Sequence, residues 1–110
     1  MINVIIKKST NNNKKFDAYF PDKKISFGAA GYLDFTISKN PEQKKRYIER
    51  HKKNENWNNP ETAGYLSRFI LWNKPTIKQS IDNLNENNKN INLNFHDCLF
   101  VDKLLTNSDV

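Results

Sequence analysis

Two Asn-Pro pairs stand in the middle of the chain, Asn40-Pro41 and Asn59-Pro60, and each restricts where a helix can begin. An asparagine side chain accepts hydrogen bonds from the free N–H groups of a first helical turn. Proline suits the first helical position, because the N–H it lacks would have no partner there. Glu42 and Gln43 follow the first pair, and Glu61 and Thr62 follow the second. This predicts one helix from Pro41 to about Lys53 and another starting at 59–60 that buries Leu66, Phe69, Ile70 and Trp72. Pro75 ends the second, since the residue before a proline resists helical geometry. Thr76 caps a third helix through Leu84, with Ile77, Ile81 and Leu84 at helical spacing.

The segments on either side read differently. Asn3 to Lys7 suits a short strand, and Lys15 to Phe20 alternates Phe16, Ala18 and Phe20 with Asp17 and Tyr19, the pattern of a half-buried strand. Pro21-Asp22 turns the chain, and Lys24 to Phe27 returns beside it. Gly28 and Gly31 then end that strand in a tight bend, followed by a loop from Tyr32 to Thr36. Downstream, Asn85 to Asn90 reads as a linker. Ile91 to Leu105 alternates at first, as an edge strand or short helix would, and Thr106 to Val110 reads as a frayed end. The fold class is α+β: a small N-terminal antiparallel hairpin or sheet packed on two or three short helices, with a loosely attached C-terminal segment. Residues 1–84 form the single domain and 85–110 the linker and tail. With 110 residues, 36% of them hydrophobic, the chain has material for one modest core.

Charge is unevenly placed along the chain, whose net charge is +6. Six lysines precede residue 25 against Asp17 and Asp22, whereas the segment from 76 onward is net acidic. Such asymmetry points to a specific positive face. Much of the polarity is asparagine in spacer positions, as AT-rich genomes encode, and carries no weight here. Cys98 is the one cysteine, which excludes an internal disulfide and a multi-cysteine zinc site and reads as a small half-buried apolar residue. The apolar run in MINVIIKKST is too short for a signal peptide, and about 18 consecutive apolar residues occur nowhere. The expectation is a soluble, intracellular protein with no membrane contact.

The block from Phe27 to Pro75 carries a series of short motifs in fixed order. Phe27-Gly28 with Gly31, Asp34-Phe35-Thr36, Pro41, Tyr47, Arg50-His51, Glu55-Asn56-Trp57, Thr62-Ala63-Gly64, Ser67-Arg68, Leu71-Trp72 and Lys74-Pro75 make up the series. Together they resemble a family of small, basic, functionally uncharacterised proteins of nucleocytoplasmic large DNA viruses. The resemblance implies a viral origin, a place in the virion or the host-cell cytoplasm, and no particular reaction. That family often carries histidine where this chain has Ser38 and aspartate where it has Asn40, so no metal or acid-base role is built on that loop.

The helix predicted from 41 to 53 holds Lys44, Lys45, Arg46, Arg50, His51, Lys52 and Lys53 against only Glu42 and Glu49. With Lys23 and Lys24 of the hairpin and Arg68, these are the candidate nucleic-acid-binding residues. Lysine and arginine release counterions from phosphates, and Tyr19, Tyr32 or Trp57 could stack on bases. The plain alternative is a solvated face that keeps a small protein in solution. A cluster of Arg50, His51, Asn54, Glu55, Asn56 and Arg68 could serve a small metal-dependent nuclease. Its structural counterpart has His51 capped by a backbone group of the second helix and Arg68 paired with Glu55 or Asp34. Carboxylates and histidines are too few for the catalytic version to lead, and no CxxC, HExxH or phosphate-loop motif occurs. Leu66, Phe69, Trp57 and Trp72 could form a protein-docking surface, although core packing accounts for most of them. Ala63-Gly64 implies close contact with a neighbouring helix or the hairpin. The reading is therefore a nucleic-acid-binding or genome-packaging-associated viral protein, with a structural virion component or adaptor as the alternative. It needs no cofactor, metal or catalytic residue, and leaves the oligomeric state open.

Overall fold

A computed structural model describes residues 2–96; the expectations for Cys98, for Asp97 and for the rest of 97–110 lie outside the described residues. The strands are β1 (Ile2–Lys8), β2 (Lys14–Tyr19), β3 (Lys24–Ala29) and β4 (Ile91–His96). They form one sheet in the order β3-β2-β1-β4. β2 pairs antiparallel with both β1 and β3, as expected. β4 departs from that expectation by pairing parallel to β1, with Val4 opposite Leu93 and Ile6 opposite Phe95. A parallel neighbour needs a long crossover, and the helical half of the chain supplies it.

Two short turns set the hairpin registers. Between β1 and β2, the Lys14 N–H donates to the Asn11 carbonyl at 3.0 Å and the Asn13 N–H to Asn11 Oδ1 at 2.9 Å, so the asparagine run is a working turn. Between β2 and β3, the Phe20 N–H reaches the Lys23 carbonyl at 2.8 Å around Pro21-Asp22. The period-two pattern then puts Val4, Ile6, Ala18, Phe27, Ile91 and Leu93 on one face, all buried. Leu66, Ile70, Leu71, Ile81 and Leu84 of the helices complete that core. Asp17 falls on the opposite face, as the alternation requires, yet it is fully buried because the β1–β2 turn folds over it.

The helices begin α1 (Phe35–Ser38) and α2 (Pro41–His51). α1 occupies the stretch expected to be loop. It is a single turn capped by Asp34, which accepts from the Thr36 N–H at 2.8 Å, and it closes at Lys39 in a left-handed conformation (φ 53°). α2 has the expected cap, Asn40 accepting from the N–H groups of Glu42 and Gln43. It stops at His51 and continues as turn toward Lys53.

The next helix, α3 (Ala63–Leu66), starts later than Asn59-Pro60 implies. Asn59 Oδ1 accepts from the Glu61 N–H at 3.0 Å, and the Thr62 hydroxyl donates to the Asn59 carbonyl at 2.9 Å. These local bonds hold a turn in place of a helix, and Thr62 becomes the cap. α3 runs directly into a π-helical turn, Ser67–Leu71, whose wider ring lets Ile70, Leu71 and Trp72 all be buried in succession.

The last helix, α4 (Ile77–Asn87), has the expected Thr76 cap and overruns the predicted end at Leu84. Its final turn takes up part of the expected linker. The Asn85 carboxamide donates to the Leu93 carbonyl at 2.9 Å and accepts from the Leu93 N–H at 2.8 Å, tying α4 to β4. The expected boundary at 84 thus falls inside a helix, and the sheet is completed from beyond it. Among the described residues no helix is long and apolar enough to cross a membrane.

Candidate nucleic-acid interface

A groove of about 770 Å³ opens between the end of β3 with its following loop, α2, and the α3/π-helical segment. Two glycines shape its strand side. Gly28 (φ 79°) and Gly31 (φ 88°) take left-handed conformations that suit residues without a side chain. A Cβ on Gly28 would also come within 2.7 Å of the Leu71 side chain, so its absence lets β3 close on the π-helical turn. Beyond Gly31 the loop is held by the Lys15 ammonium, which bonds the Tyr32 carbonyl and the buried Asp34 carboxylate together.

The helical wall of the groove follows from spacing on α2. Gln43, Arg46, Tyr47, Arg50 and His51 lie three or four residues apart and share one side of the helix. Tyr47 is buried in a stack: its ring lies 4.4 Å from Trp72 at an interplanar angle of 6°, and 4.2 Å from His51 at 28°. Burial, with the Glu55 carboxylate adding to it, pushes the Tyr47 phenol up to about 12 against the opposite pull of Arg68 and Arg50, so it stays a neutral donor.

Glu55 anchors the other end of the stack. Its Oε1 lies 3.2 Å from His51 Nδ1, and its Oε2 accepts from the Trp57 indole N–H at 2.9 Å. Gly64 makes room for it, because a Cβ there would overlap the Glu55 carboxylate. The close approach expected at Ala63-Gly64 is therefore to an acidic side chain, and His51 is held by that side chain where a backbone cap was expected. Trp57 is half-buried, while Leu66 and Trp72 belong to the core.

The structure sorts the candidate cations into three groups. Lys45, Arg46, Arg50, Lys52 and Lys53 are exposed and have no ion-pair partner among the described residues. Lys23 pairs with Glu61 at 3.1 Å, and Lys24 lies 3.9 Å from Asp17. Lys44 and Arg68 are turned inward. Lys44 Nζ donates to the Asn73 carbonyl at 2.7 Å over the Phe35 ring, and burial, then Arg68 and Lys74, push its pKa down. Arg68 donates from Nη1 to the Trp72 carbonyl at 2.8 Å with its guanidinium over Phe69 and Trp57, and burial lowers its pKa too. Both satisfy carbonyls left free after the π-helical turn, so Arg68 reaches neither Glu55 nor Asp34. Its Nε and Gln43 Oε1 are buried without partners among the described residues.

Of the cluster weighed as a nuclease alternative, His51, Glu55 and Arg50 meet at the groove, and Arg68 does not line it. No group of three or more metal-ligating side chains occurs among the described residues. Lys14 and Gln43 also line the groove, and no sequence motif marks either of them. Lys14 gets there through the hairpin register, which sets it opposite Ala29, a pairing visible only once β2 and β3 are aligned.

Residues 4–51 are similar to a family of unknown function, DUF5754. That span begins within β1, holds β2, β3, α1 and α2, and stops short of Glu55. None of the curated proteins and none of the solved structures compared with the chain matches it.

Proposed function

We propose that this protein binds nucleic acid through the exposed face of α2 and the groove that α2 walls, in the virion or genome-packaging setting implied by its motif resemblance. The observation that carries the reading is the sorting of cations. Five exposed lysines and arginines without an ion-pair partner among the described residues remain on α2 and its following turn. Lys15 is held by Asp34, Lys44 and Arg68 are held by backbone carbonyls, and Lys14 adds one further exposed cation across the groove. Arg46, Arg50 and Lys53 recur at helical spacing and line a shallow second concavity with Glu49. Arg46 and Arg50 border the main groove as well. Unpaired surface cations in a row gain most from an anionic polymer, because each phosphate they neutralise releases condensed counterions.

Replacing Lys45, Arg46, Arg50 and Lys53 together with glutamine tests this reading. All four are exposed, so the circular-dichroism spectrum and melting temperature should hold. Affinity for a labelled oligonucleotide, read by fluorescence anisotropy, should fall by orders of magnitude at moderate salt. The slope of log K against log salt should become shallower by about one unit for each phosphate that is no longer neutralised. A variant that binds as wild type does would remove α2 as the binding surface.

A further inference from the structure

Resting on the reading of α2 as a nucleic-acid surface, we infer that the groove beside it receives an unpaired nucleotide, its base stacking on Tyr32 and its phosphate held by Arg46 and Arg50. The protein would then select single strands over duplexes.

The aromatic side chains around the groove differ in what they have left to offer. Tyr47 has one face against Trp72 and the other against His51, and both Tyr47 and Trp72 are 8% exposed. Tyr19 and Trp57, the other aromatics suited to stacking, do not line the groove, and Lys7 and Arg68 lie over their rings. Tyr32 is 73% exposed and borders the groove, beside Leu33 at 57%. An aromatic ring so exposed gains nothing from burial in the described fold. Its backbone is nonetheless fixed, since Lys15 grips the Tyr32 carbonyl and Asp34 caps α1 two residues later. The space next to it is open, for nothing lies within 4 Å of the place a Gly31 side chain would occupy. An exposed ring carried on a held backbone beside an open cleft can serve as a stacking platform.

Size and lining agree with that occupant. A volume of about 770 Å³ falls within the roughly 300–1,000 Å³ of sites for small ligands. Leu71, Trp72 and the Tyr47 ring wall the interior but expose little of their own surface, with Ser67 beside them, while Lys14, Arg46 and Arg50 bring positive charge. Glu55 and Asp34 add negative charge, but His51 and Trp57 engage the first and Lys15 the second. Duplex bases keep both faces stacked within the helix, so a duplex could use only the phosphate-binding cations of α2. A single strand, with its bases free to turn outward, could use both the cations and the ring.

The test compares full-length wild type, Tyr32→Ala and Tyr32→Phe by anisotropy with labelled oligo-dT, oligo-U and a duplex of equal charge, over a salt series. The inference predicts single strands bound at least about tenfold tighter than duplex. Tyr32→Ala should lose about tenfold on single strands with an unchanged salt slope and unchanged duplex affinity, and Tyr32→Phe should retain wild-type binding. Because the side chain is exposed, the fold should survive in both variants. Equal affinity for single strand and duplex, or no effect of Tyr32→Ala, would overturn the nucleotide site while leaving α2 as a nucleic-acid surface. Absence of binding to every nucleic acid at low salt would overturn both.

Discussion

Asp17 has no exposure to solvent, and its carboxylate is met from three parts of the chain. Ser9 and Ser26 donate hydroxyl protons at 2.7 and 2.6 Å, the Thr10 N–H donates at 3.2 Å, and Lys24 stands 3.9 Å away. Burial alone would raise its pKa. The bonds from Ser26, Ser9 and Thr10, with Lys24, outweigh that cost and hold the carboxyl below the usual carboxylate range. A folded pKa below the unfolded one adds stability that is complete above the unfolded value of about 3.9 and is lost as pH falls through the folded value. Asp17→Ala should therefore cost about 1–3 kcal/mol near neutrality, with a difference from wild type that shrinks below about pH 4. Urea melts at several pH values check this, and a constant difference down to about pH 2 would contradict it. Alternation in β2 shows which face Asp17 occupies. It cannot show that Ser9 and Thr10 of the turn cover that face, because this depends on how the asparagine run bends.

α3 is built to approach the loop that follows α2, and Gly64 is where that approach can be measured. In a helix, glycine costs about 1 kcal/mol relative to alanine, so its presence in α3 needs a reason. The reason is Glu55, whose carboxylate occupies the space a Cβ would take. Because the obstructing atoms are the end of a partly exposed side chain that can swing aside, Gly64→Ala should cost only about 1 kcal/mol, the weakened Glu55 bonds to His51 and Trp57 outweighing the helix preference of alanine. In a Glu55→Ala background the same change should become neutral or slightly stabilising, since only the helix preference remains. Equal costs in the two backgrounds, measured by denaturant unfolding, would remove Glu55 as the cause. At this scale the helix caps at Asn40 and Thr76 are legible in the sequence, because capping is local chemistry. The delayed start of α3 is not, as Asn59 and Thr62 serve turns as readily as helices. The π-helical turn is hidden as well, since Leu66, Phe69 and Ile70 fit helical spacing whichever ring size the backbone adopts.

Across the whole molecule, the α+β class can be read from periodicity, whereas the segment from Ile91 reads equally as an edge strand or a short helix, and neither its choice of strand nor its partner can be read. The parallel pairing of β4 with β1 joins segments from opposite ends of the described chain, and Asn85, which reads as spacer, secures it. The groove follows the same logic. Motifs scattered from Phe27 to Trp72 converge on its walls, and Arg50, His51, Glu55 and Gly64 are visible as short signals, whereas only the fold shows why they belong together. Charge on α2 is plain in the sequence, but its division into exposed and carbonyl-bound cations depends on where Lys44 and Arg68 turn. The central claim is that the exposed cations and the groove recognise nucleic acid and do more than attract negative charge. Its most direct measurement is binding of full-length protein to an oligonucleotide and to polyglutamate of matched charge, each across the same salt series. The account predicts that the oligonucleotide binds more tightly at every ionic strength, with log K falling linearly against log salt. Equal affinity for the two polymers throughout would contradict it.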